Sequence, residues 1–117
     1  MASQRTYKLV TVNSNPERAK MIVGKVIEAV KDQFTIFHAA NADSPGAARP
    51  IFEEMVPDIV FAASMWSPEQ SSHVFTQARE VNPSCKTLAI PQGLQAEKGP
   101  EAVVEWIKGQ LPGLLGT

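Results

Sequence analysis

The side chains that could do chemistry here are few, and most are neutral. Asn13, Ser14 and Asn15 follow one apolar run, Ser64, Trp66 and Ser67 another, Gln92 and Gly93 a third, and Asn41 a fourth. Such amides and hydroxyls can hydrogen-bond a ligand, and a loop tryptophan beside them can anchor a partner or a planar molecule. The same residue types also cap helices and close turns for local backbone reasons, so both uses stay open. Trp66 can equally pack inward. His38 and His73 lack the cysteine or acid companions at ligand spacing that a metal site needs, and they read as surface or structural histidines. Cys85 has no neighbour that would activate its thiol, and it reads as inert.

No loop is built for phosphate. Asn13-Ser14-Asn15-Pro16 contains no glycine, and Pro16 removes a donor from the helix start that follows. Glu17, Glu69 and Glu101 already supply negative charge at three helix starts. Nucleotide or flavin binding is therefore not expected. These residues imply no cofactor and no metal, and none carries a catalytic assignment.

The elements that must position these residues alternate. Residues 7–12 form a short, partly β-branched apolar run, a strand signal. Asn15 then reads as an N-cap with Pro16 at the first helical position. Ala19, Ile22, Val23, Val26, Ile27 and Val30 recur at spacings of three and four, which predicts a helix over about 16–31. A second strand spans 34–39, a loop rich in turn formers follows from Asn41, and a helix covers about 45–55 with Pro50 inside it. Ile59-Val60-Phe61-Ala62-Ala63 has no polar alternation, as expected of a central parallel strand covered on both faces. Ser67 and Pro68 start a helix that ends at Asn82-Pro83, and residues 86–90 form the fourth strand. A last helix starts near Gly99-Pro100 and stops before Pro112-Gly113. Alternating strands and helices imply right-handed crossovers. The expected fold is a single α/β domain over 1–117. It is a three-layer α/β/α sandwich, flavodoxin-like, with a four-stranded parallel sheet of order 2-1-3-4. Ligands on such sheets collect at the carboxyl ends of the strands, where the neutral polar residues fall.

Composition narrows the setting. A length of 117 residues suffices for a hydrophobic core without disulfide or metal support. The net charge of -1 gives no reason to expect nucleic acid or an anionic membrane as a partner. One cysteine cannot form an internal disulfide, so a reducing, cytoplasmic location is expected. The N-terminal residues are polar with no apolar signal core, and no apolar run is long enough to cross a bilayer.

Three segments resemble the receiver domain of two-component response regulators, over about residues 7–92. Val10-Thr11-Val12-Asn13-Ser14-Asn15-Pro16-Glu17-Arg18 looks like its first strand and acidic loop. Ala39-Ala40-Asn41-Ala42 onward, ending in Glu53-Glu54-Met55-Val56-Pro57-Asp58-Ile59-Val60-Phe61, looks like its second helix and third strand. Ser67-Pro68 through Asn82-Pro83 and Lys86-Thr87-Leu88-Ala89-Ile90 look like its third helix and fourth strand. On that resemblance Asn13 and Ser14 stand where two metal-binding acids belong. Ala63 stands at the phospho-accepting aspartate, and Pro91 at a hydroxyl residue. The fifth strand and its lysine have no counterpart. Aspartyl phosphorylation needs a carboxylate nucleophile and a cation held by carboxylates, so the resemblance implies a receiver-like domain that is not phosphorylated. Asp58 precedes its strand and belongs at the opposite edge.

The expected function is regulation by protein contact through Asn13, Ser14, Ser64, Trp66 and Gln92. Trp106, Leu114 and Leu115 either seal the edge of the fourth strand or form a homodimer contact. The alternative is a small-molecule-binding or enzymatic domain using a polar pocket around Ser64, Trp66 and Gln92. A purely structural subunit that docks by its apolar tail is a third possibility.

Overall fold

The computed structural model describes residues 6–115, so the polar N-terminal residues 1–5 lie outside the described part. The chain runs β1 (Thr6–Val12), α1 (Pro16–Val30), β2 (Thr35–Ala42), a turn of 3₁₀ helix (Pro45–Ala47), α2 (Ala48–Met55) and β3 (Ile59–Ala62). It continues through α3 (Pro68–Val81), β4 (Lys86–Ala89), α4 (Leu94–Lys98) and α5 (Pro100–Leu115). The four strands pair in parallel in the order β2-β1-β3-β4, the expected flavodoxin-like arrangement.

Side-chain alternation along the central strands builds two cores. Leu9, Ile59 and Phe61 face α1 and α5, where they meet Ile22, Val26, Val103 and Ile107. Val10, Val12 and Val60 face the other way, against Phe52 of α2 and Val74 and Ala78 of α3. Both faces of β3 are therefore buried, which is why its sequence shows no polar alternation. Exposed ion pairs join the covering helices: Lys25 to Glu101 between α1 and α5, and Arg49 to Glu80 between α2 and α3.

Helix starts follow their sequence signals. Asn15 caps α1, its side chain accepting from the Arg18 amide, and Ser67 caps α3 in a capping box completed by Gln70. Pro50 falls in the first turn of α2, where a missing N–H leaves no helical bond unmade. The 3₁₀ turn takes up the residues ahead of it.

Three boundaries differ from expectation. β2 runs on through Asn41 to Ala42, because the chain bulges at Ala39 and then pairs Ala40, Asn41 and Ala42 with Val10, Thr11 and Val12. A single helical turn, α4, lies between Gly93 and Gly99, both at positive φ (88° and 85°), a conformation glycine adopts freely. α5 continues past Pro112 to Leu115. The proline removes one intrahelical bond, yet buried Leu111 and half-buried Leu114 and Leu115 pack on the α1–α5 core and hold the last turn in place.

Val56 ends α2 in the left-handed region, at φ 46°, and its side chain is 43% exposed. A β-branched residue there carries about 1–2 kcal/mol of strain. Val56→Asn, which tolerates this conformation and gives up little buried area, should stabilise the fold by about 1 kcal/mol. A thermal melt should then rise by roughly 4–8 °C.

Candidate functional site

The carboxyl ends of the strands gather the predicted polar residues at one edge. Asn13 and Ser64 are buried, Trp66 is half-buried, and Ser14 and Gln92 are exposed. Asp58 lies at the opposite edge, where its carboxylate accepts from the Lys8 amide at 2.8 Å. Cys85 is buried near that edge too, and burial, reinforced by Asp58, pushes its thiol up to about 11. It stays protonated and unreactive at neutral pH.

A hydrogen-bond relay fixes the loop after β1. Asn41 donates through Nδ2 to the Asn13 carbonyl at 3.0 Å, which orients its Oδ1 toward Thr11. Thr11 spends its one hydroxyl proton on that Oδ1 at 2.7 Å, so its oxygen accepts from His38 Nε2 at 2.9 Å. Asn13 Oδ1 in turn accepts from the Asn15 amide at 2.8 Å. The bulge at Ala39 makes this possible. Residues 38 and 41 would face opposite sides of a regular strand, but one extra residue brings both to Thr11.

His38 titrates inside this relay. Burial lowers its pKa below the ordinary 6.5, and the nearby Lys20 charge acts the same way, against a raising hydrogen bond with Ala40. As pH falls through 6.5 the unfolded chain therefore takes up the proton first. The stabilisation is full above 6.5, declines below it, and stops changing once pH is under the folded value. Comparing unfolding free energies at about pH 8 and about pH 5 should show a smaller acid loss in His38→Gln, whose amide still donates to Thr11.

The loops after β1 and β3 are stitched together. Ser14 donates to the Met65 sulfur from its hydroxyl at 2.8 Å and its amide at 3.3 Å. The Trp66 indole N–H donates to the Val12 carbonyl at 2.7 Å, with the ring packed on the α2–α3 core. These contacts close over Ala63, which is 6% exposed and lines two small voids of about 20 Å³ each. Trp66 thus has its polar atom committed inside the molecule and only part of its ring at the surface.

Open space lies to one side of this stitch. A recess of about 530 Å³ is lined by Arg18, Ser64, Met65, Gln92, Gly93 and Gln95. Ser64 holds its floor: its carbonyl accepts from the Gly93 amide at 3.0 Å, and its hydroxyl accepts weakly from the Gln95 amide at 3.4 Å. Ser64 and Gln92 come together here. Asn13 borders a void of about 20 Å³ that Arg18, Ser64, Met65 and Gln95 also line, Ser14 bonds Met65, and Trp66 faces a separate hollow with Pro91 and Gln92. Arg18, Met65 and Gln95 were not among the expected site residues. Arg18 could have been found, since the third residue after an N-cap at Asn15 sits one turn into the helix, near the strand ends.

Trp106, Leu114 and Leu115 lie half-buried against the α1–α5 core. Among the described residues no group of three His, Cys, Asp or Glu side chains could hold a metal ion, and no helix is long and apolar enough to cross a membrane.

The sequence matches no protein-family model and no curated protein. Its structure is similar to solved response-regulator domains. The receiver domain of AraT, a response regulator from Geobacillus stearothermophilus, is 15% identical with a TM-score of 0.56, over 92% of this chain and 96% of that one. A LuxR-family response regulator from Aurantimonas is 18% identical with a TM-score of 0.55, over 96% and 87%. The isolated receiver domain of RcsB from Salmonella enterica is 5% identical with a TM-score of 0.52, over 88% and 72%. At these identities the likeness is one of fold, and the chain is a receiver-like, flavodoxin-like α/β domain with a four-stranded parallel sheet of order 2-1-3-4.

Proposed function

We propose that this chain is a signalling or regulatory receiver-like domain that acts by protein contact and is not phosphorylated on aspartate. One observation carries the reading. The carboxyl edge of the sheet presents Asn13, Ser14, Ala63 and Ser64, and their oxygens are already engaged within the fold. Phosphoryl transfer to a receiver needs a carboxylate nucleophile and a cation whose charge is met by carboxylates. Neutral oxygens tied to Asn15, Met65 and Gln95 supply neither. Incubation with acetyl phosphate and Mg²⁺, followed by intact-mass measurement, should leave the mass unchanged. A stable phosphoryl adduct would sink the reading.

The contact surface under this reading is the stitched edge, with the exposed part of Trp66 and Ser14 beside it. Trp106, Leu114 and Leu115 are a proposed contact with a second copy. The mass in solution should then depend on protein concentration, and Trp106→Ala should shift it toward monomer. A second reading is favoured by the recess beside Ser64, whose volume falls in the roughly 300–1,000 Å³ range of small-molecule pockets. Under it the domain responds to a bound ligand.

A further inference from the structure

The sheet has two edges, and only one is guarded. On β2 the bulge at Ala39 breaks the regular spacing of outward groups, a common device against strand pairing. β4 has no bulge, and among the described residues no strand lies beyond it. Its Lys86 N–H donates to the Asp58 carbonyl at 2.8 Å and its Ile90 N–H to the Ala62 carbonyl at 3.0 Å. Backbone groups alternate in direction along a strand. Lys86, Leu88 and Ile90 therefore bond toward β3, while the N–H and C=O of Thr87 and Ala89 point outward. This free stretch is closed at both ends. The Cys85 N–H is spent on the Asn82 carbonyl at 2.9 Å, Pro91 has no N–H, and the Pro91 carbonyl accepts from the Leu94 amide at 3.1 Å. What remains between them is the two donors and two acceptors of Thr87 and Ala89, placed symmetrically about Leu88. Ala89 is exposed and Thr87 half-buried, so solvent reaches this edge.

We infer that β4 pairs antiparallel with β4 of a second copy about a twofold axis at Leu88, joining the two four-stranded sheets edge to edge. Thr87 of each copy exchanges both backbone bonds with Ala89 of the other, which uses every free donor and acceptor on both edges. A longer partner strand would find no further free donor at Cys85 or Pro91, so this short edge fits its own copy best. The side chains agree with that register. Leu88 meets Leu88, each partly buried on the α1–α5 core. Lys86 meets Ile90, which keeps the two lysines roughly 14 Å apart, beyond a screening length of about 8–10 Å. On the other face Thr87 meets Ala89, whose small side chain leaves room for Arg79, bound to Thr87 Oγ1 at 3.3 Å. The joint is made by the edge of the sheet and does not rest on the helix contact proposed for Trp106, Leu114 and Leu115.

So short a joint makes a weak dimer, and the test runs to about 1 mM protein. Sedimentation equilibrium should show dimer forming with concentration, and exchange of the Thr87 and Ala89 amides should slow in step. Ala89→Pro removes one outward N–H and sets its ring in the joint, yet keeps every bond to β3. The monomer should fold like the parent and associate at least roughly tenfold more weakly. Thr87→Pro removes the other outward donor and carries the test if Ala89→Pro fails to fold. Leu88→Cys reads the register, because residue 88 faces itself at a non-hydrogen-bonded position. Cα atoms there stand about 4.5 Å apart, within reach of a disulfide. Oxidised glutathione should link two Leu88→Cys chains through residue 88. It should not link the parent, whose Cys85 is buried, or Leu88→Cys combined with Ala89→Pro. The proposal is overturned if the parent stays monomeric to about 1 mM, if residue 88 does not cross-link, or if a folded Ala89→Pro or Thr87→Pro variant associates like the parent. A dimer lost in Trp106→Ala but kept in Ala89→Pro would assign the contact to α5 instead.

Discussion

Ile107→Ala should lower the unfolding free energy by about 2–5 kcal/mol, against a total of about 5–15 kcal/mol for a domain of ordinary stability. Ile107 is fully buried at the centre of the α1–α5 core, with Leu9, Ile22 and Phe61 in the same cluster. It also borders a void of about 20 Å³ that Ala63 and Phe61 share. A site already under-filled, between two helices and a sheet, has little room to collapse further, so the enlarged cavity should persist. Urea unfolding should show a lower midpoint with an unchanged slope. A loss under about 1 kcal/mol would mean that α5 repacks, and that its hold on the sheet is looser than this burial implies. Trp106→Ala is the useful contrast, because Trp106 is only half-buried on the same helix. Its effect should be smaller at low protein concentration and grow with concentration if it also meets a second copy.

The frame that carries these residues was readable because its signals are local and redundant. Asn15-Pro16 with the stripe from Ala19 to Val30 marks a helix start and a buried face, and Ser67-Pro68 with Glu69 marks another helix start. The unbroken apolar run of β3 placed it at the centre of the sheet. What could not be read depends on pairing across the chain. Nothing near Ala39 announces a bulge, since the extra residue is defined only against Leu9 and Val10 of the neighbouring strand. Pro112 reads as a stop, and the helix passes it because Leu111, Leu114 and Leu115 find a core to cover. The candidate site divides in the same way. Ser64 and Gln92 were found from their places after strands. Arg18, Met65 and Gln95 come from three separate segments, and only the fold makes them neighbours. Trp66 was identified as either an anchor or a packing residue, and its bond to the Val12 carbonyl fixes how the indole N–H is used.

Thr11→Val tests whether the relay behind that edge acts as a unit. The substitution keeps the shape of the side chain and removes a hydroxyl that serves two partners at once. Thr11 is 4% exposed, so water cannot readily take its place. Asn41 Oδ1 and His38 Nε2 would both lose their bond, and each stranded polar group costs about 1–3 kcal/mol. A loss in the lower half of the summed range is expected, because both partners are only part-buried and can turn toward solvent. Thr11→Ser should cost far less, since it retains the hydroxyl and gives up one methyl group. The effect should also travel. Asn41 orients Asn13, Asn13 holds the Asn15 amide, and Asn15 caps the helix that carries Arg18. Amide exchange in Thr11→Val should therefore quicken through residues 13–18 as well as in β2. If exchange rises only in β2, the loop after β1 is held by the Ser14–Met65 and Trp66–Val12 bonds instead, and the relay serves the edge strand alone.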